Sequence, residues 1–146
     1  MLLSCAKEFV FMDNELYDLV NGWIKKADND LKNARIILES NVEDKPYDTV
    51  CYHCQQATEK FLKGYLLFLE IEFPKTHFIS TLIDLGLKKD SGLIVLMKAD
   101  ELTAYGTMVR YPDDLYNPTK AESIEAFEIA LSVQMYVLQK IRFNIL

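Results

Sequence analysis

The stretch from Pro46 to His77, PYDTVCYHCQQATEKFLKGYLLFLEIEFPKTH, decides the fold. At about 100° of turn per residue, Val50, Cys54, Ala57, Phe61, Tyr65 and Phe68 fall within an arc of roughly 80°, an apolar stripe suited to burial. Beside it, His53, Gln56, Lys60 and Lys63 span a second arc of roughly 80°. An imidazole, an amide and two ammonium groups in a row along the edge of a core stripe can receive an anion. The spacing predicts one helix from about Pro46, a good first-turn residue, to about Glu70. Pro74 bars its continuation.

Working outward, the same periodicity recurs. A preceding helix is predicted over about Asn14–Leu38, where Leu16, Leu19, Trp23, Ala27, Leu31, Ala34 and Leu38 follow at steps of three and four. Downstream, Thr76 is expected to cap a short helix in HFISTLIDLGL that Gly86 ends. A fourth helix is expected over about Ser91–Gly106. After the loop TMVRYPDDLYNPT, Thr119 is expected to cap a fifth, with Ala121, Ile124, Phe127, Ala130 or Leu131, Met135 and Leu138 at helical spacing. Five Gly and four Pro in 146 residues favour long helices over many short strands. The expected fold is all-α: five helices forming an up-and-down four-helix bundle with one short extra helix. Residues 14–146 are expected to be one domain and residues 1–13 an N-terminal arm. MLLSCAKEFVFM has neither the basic leader nor the long apolar run of an export signal.

Composition excludes several classes of function. Half of the chain is hydrophobic, so a disordered chain is not expected. The net charge of −6 disfavours a general nucleic-acid binder, because phosphate affinity comes from clustered Lys and Arg. Any nucleotide or RNA contact must be local. Three cysteines, an odd number, fit free thiols in a reducing compartment, and the cytoplasm is the expected location. No apolar run reaches the length needed to span a bilayer, so no membrane partner is expected. Without a Gly-rich phosphate loop there is no P-loop or dinucleotide-binding site, and no cofactor is expected. Cys51 and Cys54 stand three apart on one helix. A structural zinc site needs a second ligand pair, which is missing, so no metal is expected and the thiols are read as small core residues.

Four segments in order carry a family resemblance. They are W23IKKADNDL31, the run CYHCQQATEKFLKGYLL, then KTHFISTLIDL, then VRYP. Together they resemble a HEPN domain of the prokaryotic kind that accompanies minimal nucleotidyltransferases, over about Leu16 to Ile141. The resemblance implies a five-helix unit that pairs as a homodimer. It also implies a nucleotide- or RNA-related role in toxin–antitoxin or defence modules, beside a nucleotidyltransferase partner. Ribonuclease members of the superfamily carry an Arg, then four to six residues, then a His. The matching Arg here is Arg110, and the positions for His hold Leu115, Tyr116 and Asn117. The chain has two histidines, His53 and His77, and neither follows an Arg at that distance. A phenol, with a pKa of about 10, is a poor proton acceptor at neutral pH. Enzymatic activity is therefore not the favoured expectation, and no catalytic residue is assigned.

The candidate ligand contacts are His53, Gln56, Lys60 and Lys63, with Arg110 and Tyr111 from the loop. His77 and Tyr105 are secondary. Lys and Arg would hold phosphate, and a tyrosine would stack on a base. Each has a plainer alternative: the lysines as a solvated helix face, His53 as a buried imidazole bonded to its surroundings, and Arg110 as a brace for the dimer. The favoured function is a binding module. A metal-independent ribonuclease toxin and a purely structural dimerisation protein are the alternatives.

Overall fold

The computed structural model of the chain describes residues 14–107 and 116–145, with side chains as far as Arg142. The expected arm over residues 1–13 and the loop contacts Arg110 and Tyr111 lie outside the described residues. Among the described residues five helices follow one another: α1 (Asn14–Glu39), α2 (Tyr47–Phe68), α3 (Ile79–Leu87), η1 (Ser91–Gly106) and α4 (Lys120–Ile145). They form the up-and-down bundle that the periodicity predicts, with α3 as the short extra helix.

The central element is α2, which packs against α1, α3, η1 and α4. Its apolar stripe is buried as expected: Val50, Cys54, Ala57 and Phe61 are all fully buried. Close approach of α1 depends on a small residue in α2. A Cβ on Gly64 would meet the side chains of Trp23 and Ile24 at 3.1 Å. The end of α2 comes before Pro74 takes effect. Glu70 sits in the left-handed region at φ 57, Glu70 N–H donates to the Leu67 carbonyl, and Ile71 N–H donates to the Leu66 carbonyl. This is a Schellman stop, with Glu in the place that Gly usually takes.

Two local expectations differ from the structure, and a third, the fourth helix, is found over the expected residues with its type now defined. Leu19 is exposed, and Val20, Ala27, Leu31 and Ala34 form the core stripe of α1. Thr76 accepts a hydrogen bond from Phe78 N–H at 3.1 Å, outside the helix. The first donors of α3 are capped from η1, Ile79 N–H by Thr103 Oγ1 at 3.2 Å and Ser80 N–H by Asp100 Oδ1 at 3.0 Å. The fourth helix is a 3₁₀-helix rather than an α-helix. Its buried side chains explain why: Leu93, Leu96, Ala99 and Leu102 recur every three residues. In a 3₁₀-helix, side chains at i and i+3 eclipse and form one straight row.

Helix α4 begins as expected. Thr119 Oγ1 accepts from Glu122 N–H at 3.1 Å, the cap that satisfies a first-turn donor. Its face is turned from the expected one. Ser123, Ala126, Ala130, Val133, Val137 and Ile141 are buried, whereas Ile124 and Met135 are exposed. Cys51 and Cys54 are fully buried among core side chains. Burial, with Glu122 nearby, pushes the Cys51 thiol up to about 12 and removes it from nucleophilic chemistry.

Candidate functional site

The polar row predicted on α2 exists, and it is neutralised from within. Asp30 of α1 reaches across to it. His53 Nδ1 lies 2.9 Å from Asp30 Oδ1, and Lys60 Nζ lies 2.5 Å from Asp30 Oδ2. Burial alone would push the Asp30 carboxyl up. Hydrogen bonds from His53 and Lys60, with their charges, outweigh it and hold the carboxyl below the ordinary value.

A second carboxylate organises the other end of the row. Glu59 is 5% exposed. It accepts from Lys63 Nζ at 2.7 Å and from Gln55 Nε2 at 2.9 Å, and His77 Nδ1 lies 3.2 Å from it. Burial opposes ionisation here too, but the bonds from Lys63 and Gln55 prevail and the carboxyl is lowered. Gln56 Nε2 donates to Gln55 Oε1 at 2.7 Å. Lys63 also lies over two rings, 5.6 Å from the centroid of Trp23 and 6.0 Å from that of Phe73. The Lys63 side chain thus sits in a nearly dry place between one carboxylate and two aromatic faces.

His53, Gln56, Lys60 and Lys63 are therefore brought onto one surface as the sequence suggests, with His77 joined to it through Glu59. Two ammonium and two carboxylate groups make its net charge zero when the imidazoles are neutral. Asp30, Gln55 and Glu59 complete the face and were absent from the sequence-derived site. The signal for two of them was present in the sequence, since Gln55, Glu59 and Lys63 are each four residues apart and so stack on a helix.

A cavity of about 600 Å³ opens beside His77. Lys75, Phe78, Glu101 and Thr107 are among the residues lining it, and Phe78 is 63% exposed. The α3 donors beside it are already capped, so an anion meeting His77 there would find no free first-turn N–H from Phe78, Ile79 or Ser80. Gly106 brings the end of η1 against this network. A Cβ there would come within 2.8 Å of the Gln55 amide.

Tyr105 and Tyr116 converge on Glu122 at the start of α4. The Tyr105 hydroxyl donates to Glu122 Oε2 at 3.4 Å, and that of Tyr116 donates to the same oxygen. Burial first, then the neighbouring Cys51 and Glu122, push the Tyr105 phenol up to about 12. Among the described residues no group of three or more His, Cys, Asp or Glu could hold a metal ion. No described helix is long and apolar enough to cross a membrane.

An all-helical bundle with a carboxylate-pinned polar face on its central helix is the class that these elements define. Comparison with known proteins places it further. The HEPN domain model matches residues 20–141, and the chain belongs to the HEPN family. It is 29% identical over 132 residues to the Putative toxin MJ1304 of Methanocaldococcus jannaschii, covering 82% of this chain and 84% of that one. Two solved structures share the fold. TT1696 from Thermus thermophilus superposes with a TM-score of 0.67 at 27% identity, over 83% of this chain and 97% of its own. ST0689, an archaeal HEPN homologue, gives 0.63 at 28% identity, over 84% and 97%.

Proposed function

We propose that this chain is a HEPN-type binding module for a nucleotide or RNA. On this reading, residues 14–146 act as one unit that works as a cytoplasmic homodimer beside a nucleotidyltransferase in a toxin–antitoxin or defence pair, without ribonuclease catalysis of its own. The observation that carries it is the polar face of α2, where two lysines and the imidazoles are gathered on Asp30 and Glu59. Both histidines lie against carboxylates, His53 on Asp30 and His77 on Glu59. Tyr116, one of the residues standing where ribonuclease members place His, donates its hydroxyl to Glu122. Similarity to a protein described as a toxin supports the toxin-type setting.

Ligand contacts are assigned to His53, Gln56, Lys60 and Lys63 of α2, to Arg110 and Tyr111 of the loop, and secondarily to His77 and Tyr105. The cavity beside His77 offers Phe78 as a stacking surface for a base and Lys75 as a cation for phosphate. Nucleotide titration by calorimetry tests the assignment. Lys60→Ala and Arg110→Ala should each weaken binding about tenfold, the range of one charge-assisted contact. Affinities unchanged by both substitutions reject the site. Purified protein should leave RNA intact, alone and with a nucleotidyltransferase. Cleavage that persists through repurification would replace the binding module with the ribonuclease toxin.

A further inference from the structure

The cavity beside His77 is a slot whose two ends differ in charge. One wall is the segment 75–78 and the other is η1, and the bonds between their surroundings fix how they run. His77 Nδ1 lies 3.2 Å from Glu59, whose partner Gln55 meets the Gly106 end of η1. Ile79 N–H donates to Thr103 Oγ1 and Ser80 N–H to Asp100 Oδ1. The two walls therefore run in opposite directions. His77, with Lys75 beyond it, is at the Gly106 end, and Asp100 and Glu101 are at the other. Phe78 lies between them, 63% exposed.

The 3₁₀ form of η1 shapes its wall. Side chains three apart eclipse, so Glu101, Ala104 and Thr107 make one straight row along the slot. From Glu101 to Thr107 the 3₁₀ rise spans about 12 Å, the scale of one nucleotide from base edge to phosphate. The two carboxylates at the far end are differently engaged. Asp100 Oδ1 accepts from Ser80 N–H and from the Thr103 hydroxyl, both at 3.0 Å, and so serves the start of α3. Glu101 is exposed and has no hydrogen bond or ion pair among the described residues, and the same holds for Lys75. Lys98, one turn earlier in the same row, makes its ion pair with Glu125 instead, at 3.1 Å.

An ionised carboxylate only accepts hydrogen bonds. The Glu101 end of the slot therefore calls for N–H donors and repels phosphate, whereas the Lys75 end attracts phosphate. The Phe78 ring between them suits a stacked base. Guanine presents N1–H and the 2-amino group side by side, a pair that the two oxygens of one carboxylate take together. Adenine and cytosine set one amine beside an acceptor nitrogen, and uracil sets one N–H between two carbonyls. Each of these three turns a lone pair toward a carboxylate oxygen.

We infer that Glu101 makes this slot selective for guanine. The base stacks on Phe78, its N1–H and 2-amino groups donate to the Glu101 carboxylate, and its phosphate lies at Lys75. The proposal rests on the nucleotide or RNA reading of the proposed function, and names the base that is read and the residue that reads it.

Calorimetric titration with GMP, IMP and AMP tests it, with circular dichroism to show that each variant is folded. IMP is GMP without the 2-amino group. The native chain should bind GMP about tenfold or more tighter than either of the others, the worth of a hydrogen bond to a charged group. Glu101→Gln should bring GMP to within about threefold of IMP. Phe78→Ala should weaken all three by roughly fivefold or more. Lys75→Ala should weaken GMP and leave guanosine within about twofold. A pentaribonucleotide ending in G, set against the same one ending in inosine, separates the two sources of the base. The same gap there identifies an RNA end as the ligand, and its absence there identifies the free nucleotide. GMP, IMP and AMP bound alike, or a gap between GMP and IMP that survives Glu101→Gln, overturns the guanine site and leaves nucleotide binding to the face of α2. A native chain that binds neither the mononucleotides nor the pentaribonucleotides overturns both.

Discussion

Glu59 is the residue on which the polar face of α2 turns. It holds Lys63, which is 10% exposed and roofed by Trp23 and Phe73, while Gln55 and His77 bond to the same carboxylate. Glu59→Ala leaves the Lys63 ammonium buried without its anion. Unpairing a buried charge costs about 3–5 kcal/mol, so the urea midpoint should fall accordingly. Lys60→Ala is different, because Lys60 is 24% exposed and Asp30 keeps His53. Its cost should be about 1 kcal/mol, that of one ordinary hydrogen bond. Equal losses in the two variants would show that Glu59 is not the organising group. The sequence exposed the cations of this face through their periodicity. It did not expose Asp30 as their partner, because Asp30 lies on another helix, 23 residues from His53 and 30 from Lys60. The packing of α1 on α2, close at Gly64, brings them together.

At the level of elements, helices whose apolar residues recur at three and four were legible, and η1 and α4 show the limits. In η1 the repeat Leu93, Leu96, Ala99, Leu102 has a period of three. A reading that asks only for a helix finds one, and the period decides which kind. The two kinds bury different residues. A 3₁₀ row buries Leu102 and leaves Met97 out, as observed at 1% and 36% exposure. Leu102→Ala should therefore cost about 2–5 kcal/mol, and Met97→Ala within about 0.5 kcal/mol of nothing. Comparable losses from the two would argue for an α-helical segment. In α4 the expected stripe through Ile124, Met135 and Leu138 was genuine periodicity on the outer face. Both of its stripes have helical spacing, and smaller side chains (Ser123, Ala126, Ala130) mark the inner one because α2 packs close there.

For the molecule as a whole, acid and base should each lower stability, through buried carboxyls and buried phenols respectively. Glu59 lies on the polar face of α2 and Asp30 reaches it from α1. Asp90, before η1, accepts from Tyr65 at 2.6 Å and Tyr136 at 2.7 Å, tying α2 and α4 to the start of η1. Burial raises Asp90, but these phenols and Gly92 N–H lower it by more, so all three carboxyls are held down. A depressed carboxyl contributes stability above its unfolded pKa, about 3.9 for Asp and 4.3 for Glu, and loses it as pH falls through the folded value. Urea midpoints should therefore drop as pH passes below about 4.3. The phenols behave in the reverse sense. Burial and the adjacent Asp90 push Tyr65 and Tyr136 up, so their contribution is intact below about 10, the unfolded value, and is lost above it. Asp90→Asn separates the two limbs. It removes one carboxyl from the acid limb and the anion that raises both phenols, so stability should fall less steeply both below about pH 4 and above about pH 10 than in the native chain. A variant that flattens neither limb would mean that Asp90 is ionised to the same degree in folded and unfolded chains. Its two phenol bonds would then join the helices without linking their stability to pH.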